Sequence, residues 1–169
     1  VWLTAYAFDF MQQAKALGVK VPEYTFEKTG VYLRNFVKSQ NSNSSPQKLA
    51  EAAYALSLLA GGEIIEDGAV RYFFDTYYDK LTYPLSRAQL GQALVKIGDL
   101  GRSKQAFETM LAITESDPTL LPYGTLIRNK AAFIKTLIET LKMTPILKDL
   151  GNVAESQIKI LAQLVEPSN

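Results

Sequence analysis

A chain of 169 residues, 47% hydrophobic and 21% charged, is long and apolar enough to bury a substantial core as one globular domain, which excludes disorder as its organising state. Eighteen basic against seventeen acidic residues leave a net charge of +1, and the two signs are interspersed, which argues against a nucleic-acid or anionic-membrane surface. The absence of Cys and His removes disulfides, thiolate nucleophiles, zinc–thiolate sites and the commonest general base, and no apolar run reaches the roughly 18 residues of a membrane span.

The chain begins at Val1 rather than Met with a largely apolar helix, so we expect it to be part of a longer protein. Hydrophobic periodicity predicts helices over 2–17, 23–39, 47–60, 67–80, 85–98, 100–115, 124–142 and 152–165, and no strand pattern competes with them. Gly18, Gly61, Gly62 and Gly151 stand where chain reversals are wanted, while Pro22, Pro46 and Pro84 stand near helix starts, where a missing backbone N–H costs little. Ser86-Arg87-Ala88-Gln89 fits a capping box. The polar stretch Ser39-Gln40-Asn41-Ser42-Asn43-Ser44-Ser45 reads as a mobile surface loop. Leu49, Ala52, Ala53, Leu56, Leu59 and Ala60 form one packing face, and Ile127, Ala131, Ile134, Ile138 and Leu141 another.

Charge sorts these helices. In order along the sequence they carry 2, 5, 2, 5, 2, 4, 5 and 2 charged residues. An enclosed helix cannot solvate many charges, so alternation through the first six predicts hairpins with one inner and one outer member; the seventh breaks the pattern. The predicted fold class is therefore all-α: helical hairpins in two layers, part of an α/α toroid, with 1–169 as a single domain. The distances from Pro46 to Pro84, 38 residues, and from Pro84 to Tyr123, 39, differ from the tetratricopeptide period of about 34. Leu94 through Phe107 resembles a tetratricopeptide helix-turn-helix, but it does not recur in the other hairpins.

Three groups of residues invite chemistry. Asp75 and Asp79, four apart on one predicted helix, are possible paired carboxylates, though Arg71 and Lys80 nearby favour a solvated, ion-paired face. Glu63, Glu66 and Asp67 form an acidic cluster that lacks the alternating oxygens and central Gly of a calcium loop and sits at a helix start, where the dipole alone favours acids. Tyr72, Phe73, Phe74, Tyr77, Tyr78 and Tyr83 would line a pocket or, as their helical spacing favours, pack between helices. No phosphate loop, Ser-His-Asp set or metal-ligand cluster stands out, so the sequence assigns no catalytic, cofactor-binding or metal residue.

Short blocks carry a family resemblance. Trp2-Leu3-Thr4-Ala5-Tyr6, Asp9-Phe10, Ala14-Lys15-Ala16-Leu17-Gly18, Val21-Pro22-Glu23, Ala52-Ala53-Tyr54-Ala55-Leu56, Leu85-Ser86-Arg87-Ala88-Gln89-Leu90 with Leu94 to Asp99, and Tyr123-Gly124-Thr125 with Arg128-Asn129 resemble, in order and spacing, the helical thioester-containing domain of bacterial alpha-2-macroglobulins. The resemblance implies a periplasmic protease trap in which bait cleavage exposes a Cys–Gln thioester. That motif, Cys-x-Glu-Gln, would lie upstream of Val1, and nothing in this sequence matches it. The segment itself is then a non-enzymatic scaffold without cofactor, whose partners are proteases, through the full-length parent, and other domains of the same polypeptide. The alternatives are a helical-repeat protein-binding adaptor and an α/α-toroid enzyme, the last disfavoured by the low charge of the inner helices.

Overall fold

The computed structural model describes residues 1–110 and 126–165. Within them lie eight α-helices: α1 (Trp2–Ala16), α2 (Glu23–Lys38), α3 (Pro46–Leu59), α4 (Asp67–Tyr77), α5 (Pro84–Lys96), α6 (Leu100–Met110), α7 (Leu126–Met143) and α8 (Asp149–Val165). Short 3-10 turns follow α4 (Tyr78–Lys80) and α7 (Pro145–Leu147), and no strand occurs among the described residues. The predicted helix ends at 111–115 and 124–125, and the Tyr123-Gly124-Thr125 block, lie outside those residues.

Local chemistry explains most of the boundaries. Pro46 and Pro84 occupy the first helical turn, and the Ser45 hydroxyl caps α3 by accepting from the Lys48 N–H at 3.3 Å. Gly18 and Gly61 turn the backbone with φ of +78° and +77°, a region that costs Gly nothing. Two signals misled. Ser86 lies inside α5 and its hydroxyl donates to the Tyr83 carbonyl at 2.8 Å, so Pro84, not a capping box, starts that helix. Gly151 is no reversal either, because α8 begins two residues earlier and the backbone turns at 144–148.

The polar 39–45 stretch is held rather than loose. Asn43 N–H donates to the Asn41 side chain at 2.9 Å, Asn41 N–H donates to Ser44 Oγ at 3.1 Å, and Lys80 donates to the Ser42 carbonyl at 3.1 Å. Tyr77 donates from its buried hydroxyl to the Gln40 carbonyl at 2.9 Å. These bonds satisfy backbone groups that a loop between packed helices would otherwise strand.

Helices α1, α3, α5 and α7 contact one another in sequence and form one row; α2 packs on α1 and α3, α4 and α6 on α5, and α8 on α7. α3 and α5 are the most enclosed, since seven residues of α3 and nine of α5 are buried. The predicted α3 face of Leu49, Ala52, Ala53, Leu56, Leu59 and Ala60 is entirely in the core. Hairpins are thus unequally exposed, unlike an open solenoid. The charge rule places α1 to α6 correctly but reverses the last pair: heavily charged α7 continues the inner row and lightly charged α8 lies outside it. The reason is visible in the packing. α7 buries Asn129, Phe133, Ile134, Thr136, Leu137 and Thr140, while Ile127 and Ile138 of the predicted stripe are exposed and Lys135 and Glu139 stay partly in solvent, so its charges remain solvated although the helix continues the inner row.

Candidate functional site

Four helices of the inner row, α1, α3, α5 and α7, enclose a cleft of about 500 Å³. Each contributes polar residues at helical intervals, which puts them on one face: Tyr6, Asp9 and Gln13 from α1; Tyr54 and Ser57 from α3; Gln89, Gln92 and Lys96 from α5; Arg128, Lys135 and Glu139 from α7. Three of the five charged residues of α7, Arg128, Lys135 and Glu139, line this cleft.

Asp9 is the hub. Its Oδ2 accepts from the Tyr54 hydroxyl at 3.2 Å and pairs with Lys135 Nζ at 3.0 Å, while Oδ1 accepts from Gln13 Nε2 at 2.7 Å. Lys135 also lies 3.8 Å from Glu139, one turn along its own helix. Gln92 Nε2 donates to Glu139 Oε2 at 3.3 Å, and Lys96 donates to the Ser57 carbonyl. At one end the Arg128 guanidinium stacks over Trp2, 4.2 Å from the ring centre, a cation–π contact that joins α7 to α1.

The electrostatics follow from crowding. Burial pushes the Tyr54 phenol well above the ordinary tyrosine value, and the neighbouring Asp9 carboxylate pushes it further, so Tyr54 remains a hydrogen-bond donor at neutral pH. Desolvation lowers the Lys96 amine, against the opposing pull of Glu139 and Asp9, and burial likewise lowers Arg128. The arrangement is suited to binding through hydrogen bonds and charge.

The residues singled out from sequence are elsewhere. α4 stops at Tyr77, so Asp75 and Asp79 do not share one helix, and Asp75 receives both arms of Arg102 from α6 at 2.8 and 3.0 Å. Arg71 instead pairs with Asp99 at 3.2 Å. Glu66 pairs with Lys38 at 2.8 Å, and the hydrogen bond from Lys38 holds its carboxyl below the usual value. Among the described residues no group of three or more His, Cys, Asp or Glu is placed to hold a metal, and no helix is long and apolar enough to cross a membrane.

Of the aromatic group, Phe73, Phe74, Tyr77 and Tyr78 are core, Tyr83 is half-buried and Tyr72 is exposed. Tyr78 donates to the Ala106 carbonyl and contacts Thr109 Oγ1, so this polar tip ties the 3-10 turn after α4 to α6 rather than facing a ligand. Sequence reasoning missed the cleft, although Gln89, Gln92 and Lys96 at i, i+3 and i+7 form a polar line along one face of α5 that was a signal for it.

Rows of α-hairpins around a polar cleft define the class, an all-helical hairpin-layer protein. No protein-family model matches the sequence. Over 154 residues, 85% of its length, it is 28% identical to alpha-2-macroglobulin of Escherichia coli strain K12, of which it spans 9%. The native cryo-EM structure of the E. coli protein superposes on 97% of this segment with a TM-score of 0.80 and 25% identity, 10% of the E. coli protein being covered. A crystal structure of native E. coli alpha-2-macroglobulin from domain MG7 to the C-terminus gives a TM-score of 0.80, 26% identity and the same 97% coverage, over 26% of its own length. The sequence relative and the solved structures thus agree in supporting the likeness to bacterial alpha-2-macroglobulins.

Proposed function

We propose that this chain is a non-catalytic scaffold segment of the thioester-containing domain in a bacterial alpha-2-macroglobulin-like protease inhibitor, acting in the periplasm as a defence against host or foreign proteases. The likeness to bacterial alpha-2-macroglobulins, extending over 97% of the segment at a TM-score of 0.80, carries this reading. The segment spans about a tenth of those relatives, so trapping belongs to the full-length protein that contains it.

Surface chemistry supports a place within a larger α/α toroid. Leu3 and Phe10 of α1, each 69% exposed, and Ile158 and Val165 of α8 lie outside the core that α3 and α5 organise. Large apolar side chains on the first and last helices are where adjoining hairpins of a closed ring would pack, giving this segment other domains of the same polypeptide as its neighbours. Its role is mechanical: it shelters and presents a reactive bond formed elsewhere.

The test uses the full-length protein carrying this segment. One sample is exposed to a general endoprotease and another to methylamine, and intact mass is measured. Covalent capture of protease together with a methylamine adduct is expected. Degradation without capture or adduct would overturn the thioester-trap reading and favour the adaptor alternative.

A further inference from the structure

Gln89 is unusual in its surroundings. It is 92% buried, since only 8% of its surface is exposed, yet its carboxamide makes no hydrogen bond among the described residues. It lines the cleft, and its polar atoms are not sealed from solvent. A buried amide with one donor and one acceptor group open toward a cavity matches another amide, which offers the complementary pair.

Lys96 extends that site. It lies on the same α5 stripe as Gln89 and remains solvent-accessible, and its ammonium holds only the Ser57 carbonyl, with no carboxylate in ion-pair range among the described residues. Lys135, another cation of the cleft lining, is already matched by Asp9 at 3.0 Å. A cation bound only to a neutral carbonyl accepts an anion readily. Asp9 and Glu139 line the same cleft, so a doubly charged phosphate group would meet two carboxylates, whereas a single carboxylate is repelled less.

Spacing fixes the shape of the ligand. Seven residues of helix separate Gln89 from Lys96, a rise of about 10 Å at 1.5 Å per residue. An extended peptide covers that distance in about three residues at roughly 3.3 Å each. We propose that the cleft between α1, α3, α5 and α7 binds an extended peptide segment along α5, with a main-chain amide on Gln89 and a carboxylate on Lys96. The carboxylate comes either from an acidic side group or from the free carboxyl end of a polypeptide. This inference does not depend on protease trapping and is tested on the isolated 169-residue segment.

The experiment titrates the ¹⁵N-labelled segment with three synthetic peptides and follows amide and side-chain resonances. The probes are acetyl-Ala-Ala-Ala-Glu-amide, acetyl-Ala-Ala-Ala-Ala with a free carboxylate, and acetyl-Ala-Ala-Ala-Ala-amide. Saturable shifts centred on Gln89 and Lys96 with either acidic peptide, and absent with the neutral one, are expected; which acidic peptide binds identifies the source of the carboxylate. Lys96→Met should weaken that binding about tenfold or more, and Gln89→Leu should weaken it separately. Lys96→Gln serves as the second charge-removing variant, with helical circular dichroism confirming the fold of each. No saturable response to either acid, an equal response to the neutral peptide, or unchanged affinity in folded Lys96 variants would overturn the proposal.

Discussion

Asp99 shows how one carboxylate can hold several elements. Its Oδ1 accepts from the Arg102 N–H at 3.2 Å and caps α6, while Oδ2 takes Arg102 Nη1 at 2.8 Å and Arg71 Nε at 3.2 Å. Burial alone would raise its carboxyl, but the Arg102 backbone and guanidinium bonds, joined by Arg71, outweigh burial and hold it below the ordinary value. A depressed native pKa adds stability above the unfolded value of about 3.9 and gives it up as pH falls through the lower native value. Asp99→Asn should therefore cost about 1–2 kcal/mol at pH 7, with the difference shrinking toward pH 3, as read from urea unfolding at both pH values. The sequence directed attention to Asp75 and Asp79, because adjacent carboxylates are conspicuous. It could not show that Asp99 meets a partner 28 residues away on α4.

At the scale of elements, α5 is built to be approached. The Ser103 hydroxyl of α6 donates to the Gly91 carbonyl at 3.0 Å, and a Cβ at Gly91 would lie 2.8 Å from the Phe107 ring. In an open helix Gly→Ala gains about 1 kcal/mol of propensity. Here Phe107 is itself buried and has little room to retreat, so overpacking of about 1–3 kcal/mol should win. Gly91→Ala is expected to lower the midpoint of thermal unfolding; a rise would mean that the α5–α6 contact relaxes freely. The helices themselves were legible because apolar periodicity, prolines at starts and left-handed glycines are local signals. The packing stripe of α7 was not. An Ile-rich line and the true line through Phe133 and Leu137 both have helical spacing, and only the neighbours decide which is covered.

At the scale of the molecule, burial is concentrated in the middle of the inner row. α5 and α3 bury the most residues of any helix, nine and seven, whereas α8 buries only Leu150 and Ala154. Amide hydrogen exchange should accordingly be slowest in α3 and α5 and faster throughout α8, because opening α8 exposes little of the core. Uniform protection across all eight helices would contradict that gradient. Charge counting revealed the two-layer order for six helices because solvent is normally the partner of a charge. It failed at α7, where the partners are Asp9 and the cleft, and those are invisible until the row has formed.

The ion pair between Asp9 and Lys135 joins residues 126 apart in the sequence. At a synthesis rate of about 5–20 residues per second, Asp9 is added to the chain roughly 6–25 s before Lys135. Hairpins built from neighbouring helices form as they emerge, since their contacts are local, and Tyr54 can engage Asp9 early in that interval. The latch between α1 and α7 therefore closes late, and the cleft it borders comes into being only after α7 has joined the three earlier helices of the row.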